Sequence, residues 1–136
     1  MCVLSRSGSV WTIDVCLSGT GFVGTSNMGV SVDANADATS FVAGGPADNS
    51  NLGAARVFSY VDGDWTQVGN KLVGSGYTGT AIYQGRDVAM NNEGNVVAMG
   101  GYGDNSNAGA VWVFVYDGFT WSQRGTKLVG SAGVSV

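Results

Sequence analysis

Short apolar runs punctuated by glycine and Asx residues dominate the chain. Two of them, SFVAGG at residues 40–45 and VVAMGG at residues 96–101, are each followed eight residues later by a second run, AARVFSY or AVWVFVY. A nearly continuous apolar run of this length suits a strand covered on both faces. The second run, rich in β-branched and aromatic residues, reads as its strand neighbour. Residues 29–32 and 87–89 begin a shorter strand upstream, and residues 35–38 and 91–94 supply turn chemistry before the first long run. Downstream, a tight turn containing Asp62-Gly63 or Asp117-Gly118 leads into a last strand that starts at Trp65 or Trp121. Glycines and β-branched clusters interrupt every helical period, so the pattern predicts four-stranded units and almost no helix.

The units are copies of one another. Residues 28–75 align with residues 84–131 without a gap at an offset of 56, and 22 of the 48 aligned positions are identical. The matches include Gly44-Gly45 with Gly100-Gly101, the tetrapeptide Asp48-Asn49-Ser50-Asn51 with Asp104-Asn105-Ser106-Asn107, Trp65 with Trp121, and Lys71-Leu72-Val73-Gly74-Ser75 with residues 127–131. Residues 19–25 also resemble residues 74–80, at offset 55. Val3, Ser5, Trp11 and Thr12 match Val57, Ser59, Trp65 and Thr66 at offset 54, so the N-terminus reads as the second half of an earlier unit. Gly133-Val134-Ser135-Val136 repeats Gly29-Val30-Ser31-Val32, which reads as the start of a further one. The expected organisation is a single repeat domain: a half unit at 1–18, units at 19–75 and 76–131, and the start of another at 132–136.

Four-stranded repeats of about this length with glycine pairs and aromatics are the cue for β-propeller blades. The fold class is therefore all-β, with blades that are four-stranded antiparallel meanders, two of them whole and partial blades at both ends. Glycine pairs suit strands converging on a central axis, where side chains would collide. Trp65, Trp121 and Trp11 share one repeated position and are expected to pack between blades.

Composition narrows the chemistry. The 6 Lys plus Arg against 10 Asp plus Glu give a net charge of −4, which opposes the basic footprint of nucleic-acid binding. With no His, neither a Ser-His-Asp or Cys-His catalytic set nor a His-ligated zinc can be built, and one Glu leaves any carboxylate pair to the Asp residues. No stretch reaches the roughly 18 apolar residues of a membrane span, and the first residues lack a signal-peptide pattern, so a soluble protein without membrane insertion is expected; the compartment is not declared. Cys2 and Cys16 flank a possible hairpin turning at Ser7-Gly8, where a cross-strand bridge would form in an oxidising environment; two free, partly buried thiols are the expected state.

Several motifs carry a family resemblance. Met28-Gly29 and Gln84-Gly85, the corners Ala43-Gly44-Gly45-Pro46 and Met99-Gly100-Gly101-Tyr102, and the following Gly-Ala-x-x-Val-Phe resemble FG-GAP repeats, the blades of integrin α-like propellers. Gly100-Gly101 followed by Tyr116 and Trp121 also looks like a kelch unit. The FG-GAP resemblance implies an extracellular or cell-surface adhesion module, commonly with calcium in a D-x-D-x-D-G loop. Asp33, Asn35 and Asp37 offer three oxygens at that alternation, but the second unit has Ala89, Asn91 and Glu93 there. Calcium needs six or more oxygens, so a plain Asx turn is the expected reading and no cofactor is required.

A four-strand meander places the loop after the second strand and the connection between units on one rim. Asp48, Asn49, Asn51, Asp104, Asn105 and Asn107, beside Phe22 and Tyr77, are thus the candidate ligand-binding residues, offering hydrogen bonds and flat apolar faces to a glycan or a protein surface. Asp and Asn bonding their own loop backbone is the competing explanation, and the one favoured. Trp112 stands where the first unit has Arg56, so the fold alone does not require it; it is a candidate ligand aromatic or an outward residue at an oligomer contact. Lys71 and Lys127 are expected along an outer edge strand, where charge discourages aggregation. The sequence thus predicts a non-catalytic binding or adhesion module, with two alternatives: a self-assembling propeller fragment without ligand function, or an Asp-dependent glycoside hydrolase. Two units cannot close a propeller, so a homo-oligomer is expected, with a dimer closing a ring favoured.

Overall fold

In a computed structural model, which describes residues 1–131, the chain is all-β and forms three antiparallel sheets. Strands β1 (Cys2–Ser7) and β2 (Val10–Cys16) make a hairpin. Strands β3 (Ser31–Ala34), β4 (Ser40–Gly45), β5 (Ala54–Val61) and β6 (Asp64–Gln67) form the sheet of unit 1 in sequential order. Strands β7 (Asp87–Met90), β8 (Val96–Gly101), β9 (Ala110–Tyr116) and β10 (Trp121–Gln123) form the equivalent sheet of unit 2. Equivalent residues pair alike in the two sheets: Val42 faces Val57 as Ala98 faces Val113, and Gly44 faces Ala55 as Gly100 faces Val111. The segment 133–136, read as the start of a further unit, lies outside the described residues. No helix among the described residues is long and apolar enough to cross a membrane.

The two units pack face to face. Val42, Ala55, Val57 and Leu72 of unit 1 join Ile82, Val88, Val97, Met99, Ala110, Trp112 and Phe114 of unit 2 in one buried cluster. Glycine sets the closeness of the approach: a Cβ on Gly44 would lie 2.0 Å from the Gly85 carbonyl oxygen. Beside this contact, the Gln84 and Tyr83 N–H groups donate to the carbonyls of Leu52 (2.9 Å) and Asn51 (2.8 Å). Lower down, Asp33 accepts from the Met90 N–H at 2.7 Å, and the Ser31 hydroxyl accepts from Val88 N–H at 3.1 Å.

The only helical turns among the described residues, α1 (Asp48–Asn51) and α2 (Asp104–Asn107), are the repeated tetrapeptides. Each is left-handed inside: Asn49, Ser50 and Asn51 have φ of 51, 55 and 71°, and Asn105, Ser106 and Asn107 have 49, 57 and 71°. Asn visits this region more readily than most residues because its short amide bonds locally, which explains two of the three positions.

The N-terminal hairpin departs from expectation at its cysteines, which are joined, not free. Cys2 and Cys16 are register partners, so their side chains leave adjacent backbones on one side and form a disulfide. The hairpin needs such a staple, because Leu4, Val10, Trp11 and Ile13 are all exposed and an isolated two-stranded ribbon is marginal in water. Closing a loop across a sequence separation of 14 stabilises by roughly 3 kcal/mol. Reduction should therefore speed amide exchange through β1 and β2 by about a hundredfold and leave β4 and β8 unchanged, as followed by hydrogen exchange with mass spectrometry.

Candidate functional site

The rim loops do meet the connections between units, as the meander requires, but their carboxylates point inward. Asp48 is fully buried and accepts hydrogen bonds from the Arg56 guanidinium at 2.5 Å, the Lys71 ammonium at 2.7 Å and the Val23 N–H at 3.3 Å. Arg56 is equally buried, and its Nε donates to the Thr20 carbonyl at 2.9 Å. Its guanidinium carbon stands 4.0 Å from the centre of the Phe22 ring, a cation–π contact. Burial pushes the Asp48 carboxyl up, but the hydrogen bonds and charges of Lys71 and Arg56 outweigh it and hold the group below the usual carboxylate range.

Unit 2 repeats the plan with one charge fewer. Asp104 is fully buried and accepts from the Lys127 ammonium at 2.5 Å and the Thr78 N–H at 2.7 Å. Trp112 takes the place of Arg56, and its indole N–H donates to the Ser75 carbonyl at 2.7 Å. The two side chains thus do the same job: each fills the floor of its unit and caps a carbonyl of the incoming connection. A Cβ on Gly74 would fall 2.3 Å from the Trp112 ring, as one on Gly19 would fall 2.3 Å from Arg56 Cδ. Trp112 is completely buried, so the outward, ligand-stacking position expected of it is corrected to a place in the core. The expectation for Lys71 and Lys127 is corrected too. Neither lies on an edge strand; both follow the last strand of their unit and reach back to a buried carboxylate.

Asn49, Asn105 and Asn107 are exposed and Asn51 is half-buried, and the Asn49 and Asn105 N–H groups tie the loops to the Val23 and Thr78 carbonyls, each at 2.8 Å. Phe22 and Tyr77 remain about two-fifths exposed beside them. What the rim offers a ligand is therefore amide side chains and two ring faces, without an available carboxylate.

Asp33, Asn35 and Asp37 do not form a cage. Asp33 accepts the Ala34 and Met90 N–H groups, Asn35 accepts the Ser40 N–H, and Asp37 accepts both the hydroxyl and the N–H of Thr39. The Thr39 hydroxyl, aided by its N–H, holds the Asp37 carboxyl below its ordinary range. These are turn and inter-unit bonds, and among the described residues no three His, Cys, Asp or Glu side chains converge. Of the repeated tryptophans, Trp121 packs against the shared core. Trp65 instead packs at a tilt against Phe41 and Tyr60 of its own sheet, with ring centres 5.0 and 5.5 Å away, and Trp11 is exposed.

One sizeable opening lies away from the rim. A cleft of about 810 Å³ separates the hairpin from unit 1, between Val3, Leu4, Ser5, Asp14 and Val15 on one side and Phe41, Tyr60 and Trp65 among others on the opposite side. A second opening, of about 320 Å³, lies on the outer face of unit 2 and includes Gly100, Gly101, Gly109, Val111 and Leu128 in its wall. The sequence could have pointed to neither, because both arise from which faces are left uncovered. Compared with known proteins, the chain matches no family model and no curated protein is similar to it in sequence.

Proposed function

We propose that this protein is a non-catalytic binding module of β-propeller-type repeat units, and that its partner is a further copy of its own unit. The observation that carries this reading is the outer face of unit 2. Val111 and Leu128 are 39% and 59% exposed there, whereas their equivalents Ala55 and Leu72 in unit 1 are 0% and 4% exposed under the next unit. The small-residue seat is repeated as well: Gly100 has nothing closer than 3.8 Å to its Cβ position, where Gly44 has the Gly85 carbonyl. Exposed apolar faces rimmed by polar residues mark association sites. Unit 1 offers a counterpart in the exposed Val30 and Val32. Two unlike faces on one chain associate head to tail and close into a ring when the rotation permits, with a dimer as the expected state. The non-catalytic part rests on Asp48 and Asp104, whose carboxylates are buried and engaged by cations.

Light scattering on the wild-type chain should give a multiple of 13.9 kDa, and Gly100→Val should return it to the monomer mass with its circular dichroism intact, because the added side chain enters open space within one chain. A wild-type monomer at millimolar concentration, or unchanged association of Gly100→Val, overturns the proposal.

A further inference from the structure

The floor of unit 1 carries more positive charge than its carboxylate answers. Arg56 and Lys71 both engage Asp48, two cations on one anion, which leaves the cluster one positive charge over. In unit 2, Lys127 alone engages Asp104 and Trp112 stands in place of Arg56, so the equivalent cluster is neutral. No second carboxylate forms an ion pair with Arg56 or Lys71 among the described residues. The excess lies deep, because the Arg56 side chain is completely buried, and a buried charge is costly unless it is paired. Its Nε donates to the Thr20 carbonyl and its Nη2 to Asp48, but the buried Nη1 has no hydrogen-bond partner among the described residues. The guanidinium is thus fixed on two sides and presents a free, dry edge on the third.

A short flap covers this group. Phe22 lies on the guanidinium at 4.0 Å and is about two-fifths exposed. Phe22 and Val23 sit between Gly21 and Gly24, which have φ of 73 and 70°, and a Cβ on Gly24 would meet nothing within 4 Å. Val23 ties the flap down: its N–H donates to Asp48 at 3.3 Å and its carbonyl accepts from the Asn49 N–H at 2.8 Å. In unit 2 the equivalent bonds of Thr78 measure 2.7 and 2.8 Å. The more loosely held flap therefore belongs to the unit with the surplus cation.

We propose that Arg56 Nη1 and the Lys71 ammonium form a binding site for a small monovalent anion, and that the Phe22 flap lifts to admit it and closes over it. One negative charge brings the cluster to neutrality. The free guanidinium edge supplies charge-assisted hydrogen bonds in a fixed fork, so little side-chain freedom is lost on binding. Phe22 has to move for the anion to enter, and glycine on either side lets the backbone turn. Unit 2, with Trp112 under its flap, has no such site and serves as a control within the same molecule. The proposal stands apart from self-association through Gly100, which concerns the outer face of unit 2.

The probes are sodium formate and sodium chloride, titrated into the full chain at constant ionic strength against the sodium salt of a bulky sulfonate buffer. Amide NMR should show saturable shifts at Phe22, Val23 and Asn49 with at least one of the two anions, and none at their counterparts Tyr77, Thr78 and Asn105. An anion that binds only the folded chain raises the folding constant, so urea unfolding at an anion concentration about ten times its Kd should read a gain of about tenfold. Lys71→Gln makes the cluster neutral without an anion and should weaken binding at least about tenfold, whereas Lys127→Gln should leave it unchanged. Arg56→Trp, which copies unit 2, should abolish it; if that variant does not fold, Lys71→Gln decides. Absence of saturable shifts with both anions, equal shifts in the two units, or unchanged binding in Lys71→Gln each overturns the proposal.

Discussion

Replacing Asp48 with Ala is expected to cost about 3–5 kcal/mol of folding stability, the range for removing one partner of a buried ion pair. The loss strands Arg56, whose side chain is fully buried with one guanidinium nitrogen, Nη1, already unpaired. Lys71 can turn toward water, being about one-fifth exposed, but Arg56 cannot. Asp104→Ala should cost distinctly less, since Trp112 replaces the buried cation in that unit and the remaining ammonium of Lys127 is partly exposed. Urea denaturation of the two variants side by side measures the difference. The same pair gives a pH signature. A carboxyl held below its unfolded value contributes stability that is complete above the ordinary carboxylate range and is lost as pH falls through the folded value. Wild type should therefore lose stability on acidification below about pH 4, and Asp48→Ala should lose less over the same interval.

The second large effect is expected at the seam between units. A Cβ on Gly44 would meet the Gly85 carbonyl oxygen at 2.0 Å, backbone against backbone, so no rotamer change relieves it. Gly44→Val should force the units apart and cost about 3 kcal/mol or more, at the upper end of overpacking penalties. Gly100→Val makes the same change at the equivalent position of unit 2, where the space is open, and should stay within about 0.5 kcal/mol of wild type when measured as a monomer. Thermal melts at low protein concentration check the contrast. Equal losses would mean that the glycines serve strand geometry and not the approach of a neighbouring unit.

The repeat made the two sheets legible, because an ungapped offset carries strand order and register with it: every pairing of β4 with β5 recurs between β8 and β9. The loop chemistry was half legible. Asx residues pointed to a turn, but nothing in Asp-Asn-Ser-Asn announces that three successive residues are left-handed. The Asp48–Arg56 pair left a signal that could have been used. An arginine inside the apolar run AARVFSY has to find a counter-charge if that strand is buried, and the tetrapeptide eight residues upstream supplies one. Lys71 and Lys127 each stand 23 residues after their aspartate, a spacing shared by both units that periodicity rules do not weigh. Trp112 was misplaced because its counterpart Arg56 made the site look unconstrained. The common property of the two residues, a long flat group ending in an N–H donor, becomes visible only over Gly74 and Gly19 with the carbonyls of Ser75 and Thr20 in place.

The one-sided burial of the stack has a consequence for how the free energy is distributed. In an array where each unit touches only its neighbours, stability is a sum of intrinsic terms and interface terms. Here a single complete interface joins two units that are individually short of core. Unit 1 and unit 2 therefore rise and fall together, while the hairpin, tethered by its own covalent link, stands outside that cooperative block. Each added neighbour would contribute another interface, so the stability per unit in such an array rises with the number of units.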